Sequence, residues 1–316
     1  MSLCASTRLH FVKDSRMTRN SAYILMDVGG TFIKSGVMTA DSVLVEGTQQ
    51  TVAIDSDGSK EEIINSLTSA VSQGIALCNY YGFAPAGVGI CMPGPFNYNT
   101  GISGMVHKFA AIKDLPLKKI IAESIPEYNI PIVFGHDVNT QLYGEMCGGN
   151  AKGYDNVCLV ALGTGLGFAM ANDGKVLQNA TGGPLVSIWN LPYNGGILED
   201  YASKRGFYNT WEAVTGQKPE ESLTVAAMGA LAGEGDATAL EVFSRVGKFI
   251  GMNIKKQLIE YNINCLLFGG QISRSFHFME AAVKKELSDI EGLDIRTVSD
   301  FSNAAFKGLV EMLKAD

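Results

Sequence analysis

From Ala22 onward the chain alternates short apolar runs with segments of helical spacing. "AYILM" runs through "DVGGT" into "FIKSGVM", which predicts a strand, a tight glycine turn and a second strand. "VLVEGTQQTVAI" predicts a third strand. "SKEEIINSLTSAVSQGIALCNYYG" then has apolar positions at helical spacing, Ser59 as N-cap candidate, and Glu61 and Glu62 in the first turn. "AGVGICMPGP" reads as a buried strand ending in a Pro-Gly turn. The second half opens the same way: "NVCLVALGTGLGFAMANDGKVL" is a strand, a glycine turn, a strand and a hairpin turn at Asn172–Gly174. Helices are expected from about Leu198 to Lys256, followed by the strand "INCLLFGG", a helix, a short strand and the closing helix "SNAAFKGLVEMLKA". Buried strands alternating with helices give an α/β class, and two halves with the same opening suggest a structural duplication.

Composition narrows the partners. A length of 316 residues fits one large or two medium domains, and 46% hydrophobic with 18% charged residues describes a well-packed chain. The net charge of −7 argues against nucleic acid or an anionic membrane as partner. It leaves room for a phosphate ligand held locally by backbone amides and a magnesium ion. Six scattered cysteines without a C-x-x-C pair read as reduced thiols of a cytoplasmic protein. No apolar run is long enough for a membrane span. Residues 1–21 are basic, lack a signal-peptide core, and are expected to be a loose leader.

Chemistry is suggested by three glycine turns. A strand entering such a turn exposes successive N–H groups, and the missing side chains let an anion approach. At the first turn, Asp27 can hold a magnesium ion that bridges to phosphate, while Gly29, Gly30 and Thr31 supply amides and a hydroxyl. Lys34 is expected to point to solvent or across the sheet. The second turn holds Gly163, Thr164 and Gly165; the third, Gly269 and Gly270, suits the flat approach of a nucleotide. Any one turn alone reads equally as an ordinary hairpin. None matches a P-loop or a dinucleotide fingerprint. Between the first two, "IPIVFGHDVNTQLYGE" delivers His136 and Asp137 at the start of a helix. Asp137 reads either as a helix N-cap or as the base that takes a proton from an attacking hydroxyl.

Seven stretches in order, "DVGGTFIKSG", "VGICMPGP", "HDVNTQLYGE", "LGTGLGFAMANDGKVL", "GGILEDYAS", "LLFGGQIS" and "SNAAFKGLV", resemble the ROK family of the actin-like ATPase superfamily, from about residue 23 to the end. The resemblance implies two ribonuclease-H-like domains closing on ATP and a sugar. Residues 22–135 with 303–316 would form the first, and 136–302 the second. It implies Asp137 as general base, Asp27 as the Mg²⁺ and phosphate group, and the Gly163–Gly165 turn as a second phosphate site. It also implies Gly94, Lys108, His136 and Glu199 around the sugar. Family members are often dimers, so a homodimer is a further expectation.

The departures concern the sugar. Gly183 and Val186 stand where the family's G-E-x-G-H has its glutamate and histidine, and Asn190, Pro192 and Ile197 stand where three cysteines are usual. That histidine and those cysteines are the four ligands of a structural zinc, so no zinc is expected. Lys108 and His136 replace asparagines. If both face the pocket they suit a modified or anionic sugar; each reads equally as a group on a solvated edge. Unpaired buried hydroxyls cost roughly 1–3 kcal/mol each, so glucose is a poor fit. Two functions follow: an ATP-dependent kinase acting on a sugar or sugar-derivative hydroxyl, or a catalytically weak sugar-binding sensor. The roughly twenty residues before the first strand are too few for the helix-turn-helix domain of family repressors.

Overall fold

The computed structural model describes residues 20–316. The expected leader lies almost wholly outside them. Two five-stranded sheets form the frame. The first is built from β1 (Ser21–Val28), β2 (Phe32–Thr39), β3 (Gln50–Ala53), β4 (Ala84–Cys91) and β5 (Ile132–Gly135), in the order β3-β2-β1-β4-β5. The second is built from β6 (Val157–Leu162), β7 (Leu166–Asn172), β8 (Lys175–Val176), β9 (Cys265–Gly269) and β10 (Asp294–Thr297), in the order β8-β7-β6-β9-β10. In both, the first three strands meander antiparallel and the last two add in parallel. The suggested duplication is therefore visible as one topology used twice, and it is the two-domain α/β frame of actin-like ATPases.

Period-two alternation decides what each sheet face holds. Ile24 and Met26 of β1 point into a core shared with Ile63, Leu67 and Val71 of α1 (Lys60–Tyr80). Tyr23 and Leu25 point to the opposite face, onto Leu309, Val310 and Leu313 of the closing helix Ala304–Ala315. Helix α1 starts as expected. Ser59 Oγ accepts the Glu62 N–H at 3.3 Å while Glu62 Oε2 accepts the Ser59 N–H at 2.8 Å, a reciprocal cap. A short helix, α2 (Leu117–Ser124), packs on the same core through Leu117 and Ile121.

The second sheet repeats the scheme. Val157 and Leu159 of β6 face Val138 and Leu142 of α3 (Asp137–Gly148). Cys158, Val160 and Leu162 face the large core of α4 (Lys204–Thr215), α5 (Val225–Gly233) and α6 (Ala237–Glu260). The helices expected from about Leu198 to Lys256 are thus three, the first starting at Lys204 and the last ending at Glu260. The run breaks at Gly216, which has φ of 75° ahead of Pro219, and again at Gly235, with φ of 89° ahead of the N-cap Asp236. The third strand is also shorter than expected, because Thr48 Oγ1 takes the Val37 N–H and donates to the Val45 carbonyl, turning the chain at Gly47. After the short helix α7 (Glu280–Glu286) and β10, the chain returns to the first sheet as α8, the helix Ala304–Ala315.

Helices α3 and α8 lie between the sheets and pack on each other. At their crossing a Cβ on Gly308 would stand 1.8 Å from the Thr140 carbonyl oxygen, and one on Gly144 2.5 Å from that of Ala304. Only glycine permits this backbone-to-backbone contact. Among the described residues no helix is long and apolar enough to cross a membrane.

Candidate active site

Parallel pairing in the first sheet aligns Asp27 with Cys91, and Cys91 with Gly135. The C-terminal ends of β1, β4 and β5 therefore share one edge, where a parallel sheet opens its ligand crevice. Asp27 ends β1; His136 and Asp137 follow β5 directly. His136 is the N-cap position and Asp137 the first helical residue, so the N-cap reading of Asp137 is displaced by one position. The Asp137 carboxylate still accepts the Val138 N–H at 2.8 Å and lies 2.8 Å from His136 Nδ1, yet its side chain is 64% exposed. Burial pushes the Asp137 carboxyl up, but the His136 contact and the Val138 N–H outweigh that and hold it below the ordinary carboxylate value. Asp27 is displaced the other way. Burial first, then the negative charge of Asp137, raise it, and Lys34 only partly offsets them. Lys34 is exposed as expected, is the cross-strand partner of Asp27, and lines the same cavity of about 260 Å³.

The first glycine turn is tied at both carbonyls: Ser56 N–H donates to Gly30 at 3.0 Å and Ile54 N–H to Thr31 at 3.0 Å. Among the described residues the N–H groups of Gly30 and Thr31 have no such bond and remain available. Lys108 is found here. Phe109, fully buried, donates its N–H to the Ser56 carbonyl at 2.7 Å, and this anchor sets the Lys108 ammonium 3.8 Å from where a Gly30 Cβ would stand. It belongs to the first turn, whereas the motif alignment had put it beside the sugar.

The second and third turns meet at the ends of β6 and β9, which run parallel with Ala161 opposite Gly269. Gly270 has φ of 76°, and a Cβ there would lie 2.2 Å from the Leu162 carbonyl oxygen. Gln141, one turn after the candidate base on α3, packs against Gly269. The start of α4 docks on the second turn through Lys204 N–H to Gly163 O at 2.8 Å, bringing a helix N-terminus to it. Glu199 is committed to the same turn. Its Oε2 accepts the Leu166 N–H at 3.0 Å and its Oε1 lies 3.6 Å from Arg205.

Beside His136 lies a cavity of about 480 Å³ lined by Gly94, Tyr98, Gly183 and Trp189 among others. Neither Lys108 nor Glu199 lines it. Its far wall is the stretch 179–189. Asn179 Oδ1 accepts the Thr181 and Gly183 N–H groups at 2.9 and 3.1 Å, and Tyr98 N–H donates to the Thr181 carbonyl at 2.7 Å across the crevice. Of the four positions of the family zinc ligands, Val186 and Ile197 are half-buried while Asn190 and Pro192 are exposed. Val186 and Leu191 reach the large core, Pro192–Tyr193 pairs with Gly196–Ile197, and Tyr193, Tyr201 and Phe249 form a ring triplet with centroids 4.9 to 5.8 Å apart. Trp189, Asn179 and Ser56 escaped the sequence reading, since loop residues without periodicity give no signal before folding.

The frame is the two-domain α/β fold of the actin-like ATPases. The family model described as "ROK family" matches residues 23–185 and 190–299, and the chain belongs to that family. It is 26% identical over 275 residues to a glucokinase of Halalkalibacterium halodurans, covering 80% of this chain and 81% of that one. It is 25% identical over 211 residues to the xylose repressor of Bacillus subtilis, covering 64% of this chain and 52% of the repressor. Among solved structures, a putative sugar kinase from Cytophaga hutchinsonii superposes with a TM-score of 0.80 at 20% identity, covering 93% of this chain and 99% of that one. A ROK glucokinase from Streptomyces griseus, solved with glucose and AMPPNP, gives 0.75 at 19%, covering 94% and 100%.

Proposed function

We propose that the protein is an ATP-dependent carbohydrate kinase that phosphorylates a hydroxyl of a sugar or sugar derivative, with glucose not the favoured acceptor. The observation that carries this reading is the opposed pair of carboxylates on one sheet edge. Asp137 is held readily ionised and open to the crevice, while Asp27 is pushed toward neutrality beside amides without partners. Two residue sets divide the work, with 22–135 and 303–316 on one side of the crevice and 136–302 on the other.

Asp137 accepts the proton of the attacking hydroxyl. A weak base suffices, because in a loose phosphoryl-transfer transition state the proton leaves late and the main task is aim. The N–H groups of Gly30 and Thr31, with the Lys108 ammonium beside them, take charge on the transferred phosphoryl group. Gly163, Thr164 and Gly165, backed by the α4 N-terminus, hold the remaining phosphates, and Gly269 and Gly270 receive the nucleoside. Asp27, whose ionised form is penalised by burial and by Asp137, suits a hard divalent cation with few protein ligands. Mg²⁺ there would supply charge neutralisation of the phosphates. An ATP-consuming role assigns the protein to the cytoplasm. No zinc is expected, because none of Val186, Asn190, Pro192 and Ile197 is a histidine or cysteine.

The test is ADP release with Mg-ATP across hexoses, amino sugars, sugar acids and glycosides, using Asp137→Asn as the blank. Acceptor-dependent release that vanishes in the variant supports the reading. ATP and sugar binding without release would replace it with the sensor.

A further inference from the structure

Several polar side chains in the wall of the cavity beside His136 are already occupied, while those of Asp114 and Ser187 have no hydrogen bond among the described residues. Asn179 spends its carbonyl oxygen on Thr181 and Gly183 and its amide on the Pro184 carbonyl. The Thr181 hydroxyl donates to Asn179, and the Tyr98 hydroxyl donates to the Met92 carbonyl at 3.0 Å. Gly183 brings no side chain, and a Cβ there would already press on Asn179 Nδ2 at 3.2 Å. A bare hexose offers a ring of hydroxyls that each want a partner. This wall leaves few groups to give.

What the wall does give is apolar surface. Trp189 is 45% exposed and Ile102 37% exposed, and these two large hydrophobic residues open to solvent line one cavity. Phe96, Phe168 and Pro184 complete that surface. A volume of about 480 Å³ is in the range of sites for ligands larger than a single sugar ring. We propose that the acceptor is a glycoside carrying an aryl or branched-alkyl group, whose apolar part lies on Trp189 and Ile102 while a hydroxyl of its sugar reaches Asp137. This deepens the kinase reading and rests on it.

The experiment compares kcat/KM with Mg-ATP for a free hexose, its methyl glycoside and its phenyl glycoside. The phenyl glycoside should lead the free sugar by about tenfold or more, the order expected for burying one aromatic ring. In Trp189→Ala that ratio should collapse toward one. In parallel, Asp137→Asn carrying Trp211→Phe leaves Trp189 as the sole tryptophan, and its fluorescence reports binding without turnover. Quenching by the phenyl glycoside but not by the free hexose supports the proposal even where no ADP is released, an outcome that would sink only the kinase reading. Turnover of free hexose as good as that of the glycoside, or a Trp189 signal blind to both, overturns the proposal while leaving the kinase reading to the ADP assay.

Discussion

The two sheets share strand order and strand direction, yet their working edges differ in kind. The first ends in side chains: Asp27 on β1, Asp137 just past β5, and Lys34 and Lys108 beside them. The second ends in glycine backbone: Gln141 and Leu162 fill the space side chains would need at Gly269 and Gly270, Glu199 fills it at Gly165, and Gly163 stands open. Duplication supplies a frame that places strand ends around a crevice. Divergence then leaves carboxylates and lysines on one edge and glycine backbone on the other, the division on which the proposed kinase reading rests.

Four experiments break or sharpen that contrast. The largest effect is expected from Asp137→Asn, which should lower kcat by about 10²–10⁴-fold, the usual contribution of a general base, while calorimetry shows nucleotide affinity preserved. Loss of nucleotide binding instead would mean the first edge does not act separately. Next is Gly270→Ala on the second edge. Its Cβ meets the Leu162 carbonyl at 2.2 Å in a backbone with φ of 76°, so a cost of about 1–3 kcal/mol is expected from overpacking, read as weaker ATP affinity with acceptor affinity retained. Lys108→Met should lower kcat/KM for ATP by about tenfold, since one charge-assisted phosphate contact is lost. If it changes only the acceptor KM, Lys108 belongs to the sugar side after all. The smallest effect concerns stability. Because the folded state raises the Asp27 carboxyl above its unfolded value, its ionised form destabilises the fold at neutral pH, and that penalty fades as pH falls through the raised value toward the ordinary one. Asp27→Asn should therefore raise Tm of the metal-free protein at pH 7, with the gain shrinking in acid. A gain independent of pH would point to packing rather than charge.

Much of this contrast was legible beforehand. The strands β1, β4, β6 and β9 are continuous apolar runs ending in or closely followed by glycine, so their sequence along the chain and the glycine turns could be read locally. The acceptor side could not. Lys108 sits at the first turn because Phe109 is buried and bonded to Ser56, a contact between segments over fifty residues apart. Glu199 sits on a motif position but is drawn to Leu166 and Arg205. Trp189 is an exposed tryptophan in an aperiodic loop, which means nothing until the loop is folded against Tyr98.

The glycine crossing of α3 and α8 also sets how the molecule can move. Backbone touching backbone leaves no long side chains to stretch or repack, so that point acts as a fixed bearing between the sheets. The bond from Tyr98 to Thr181 fixes a second point across the crevice. Two contacts shared by the sheets oppose sliding of one past the other more than rotation about the line joining them.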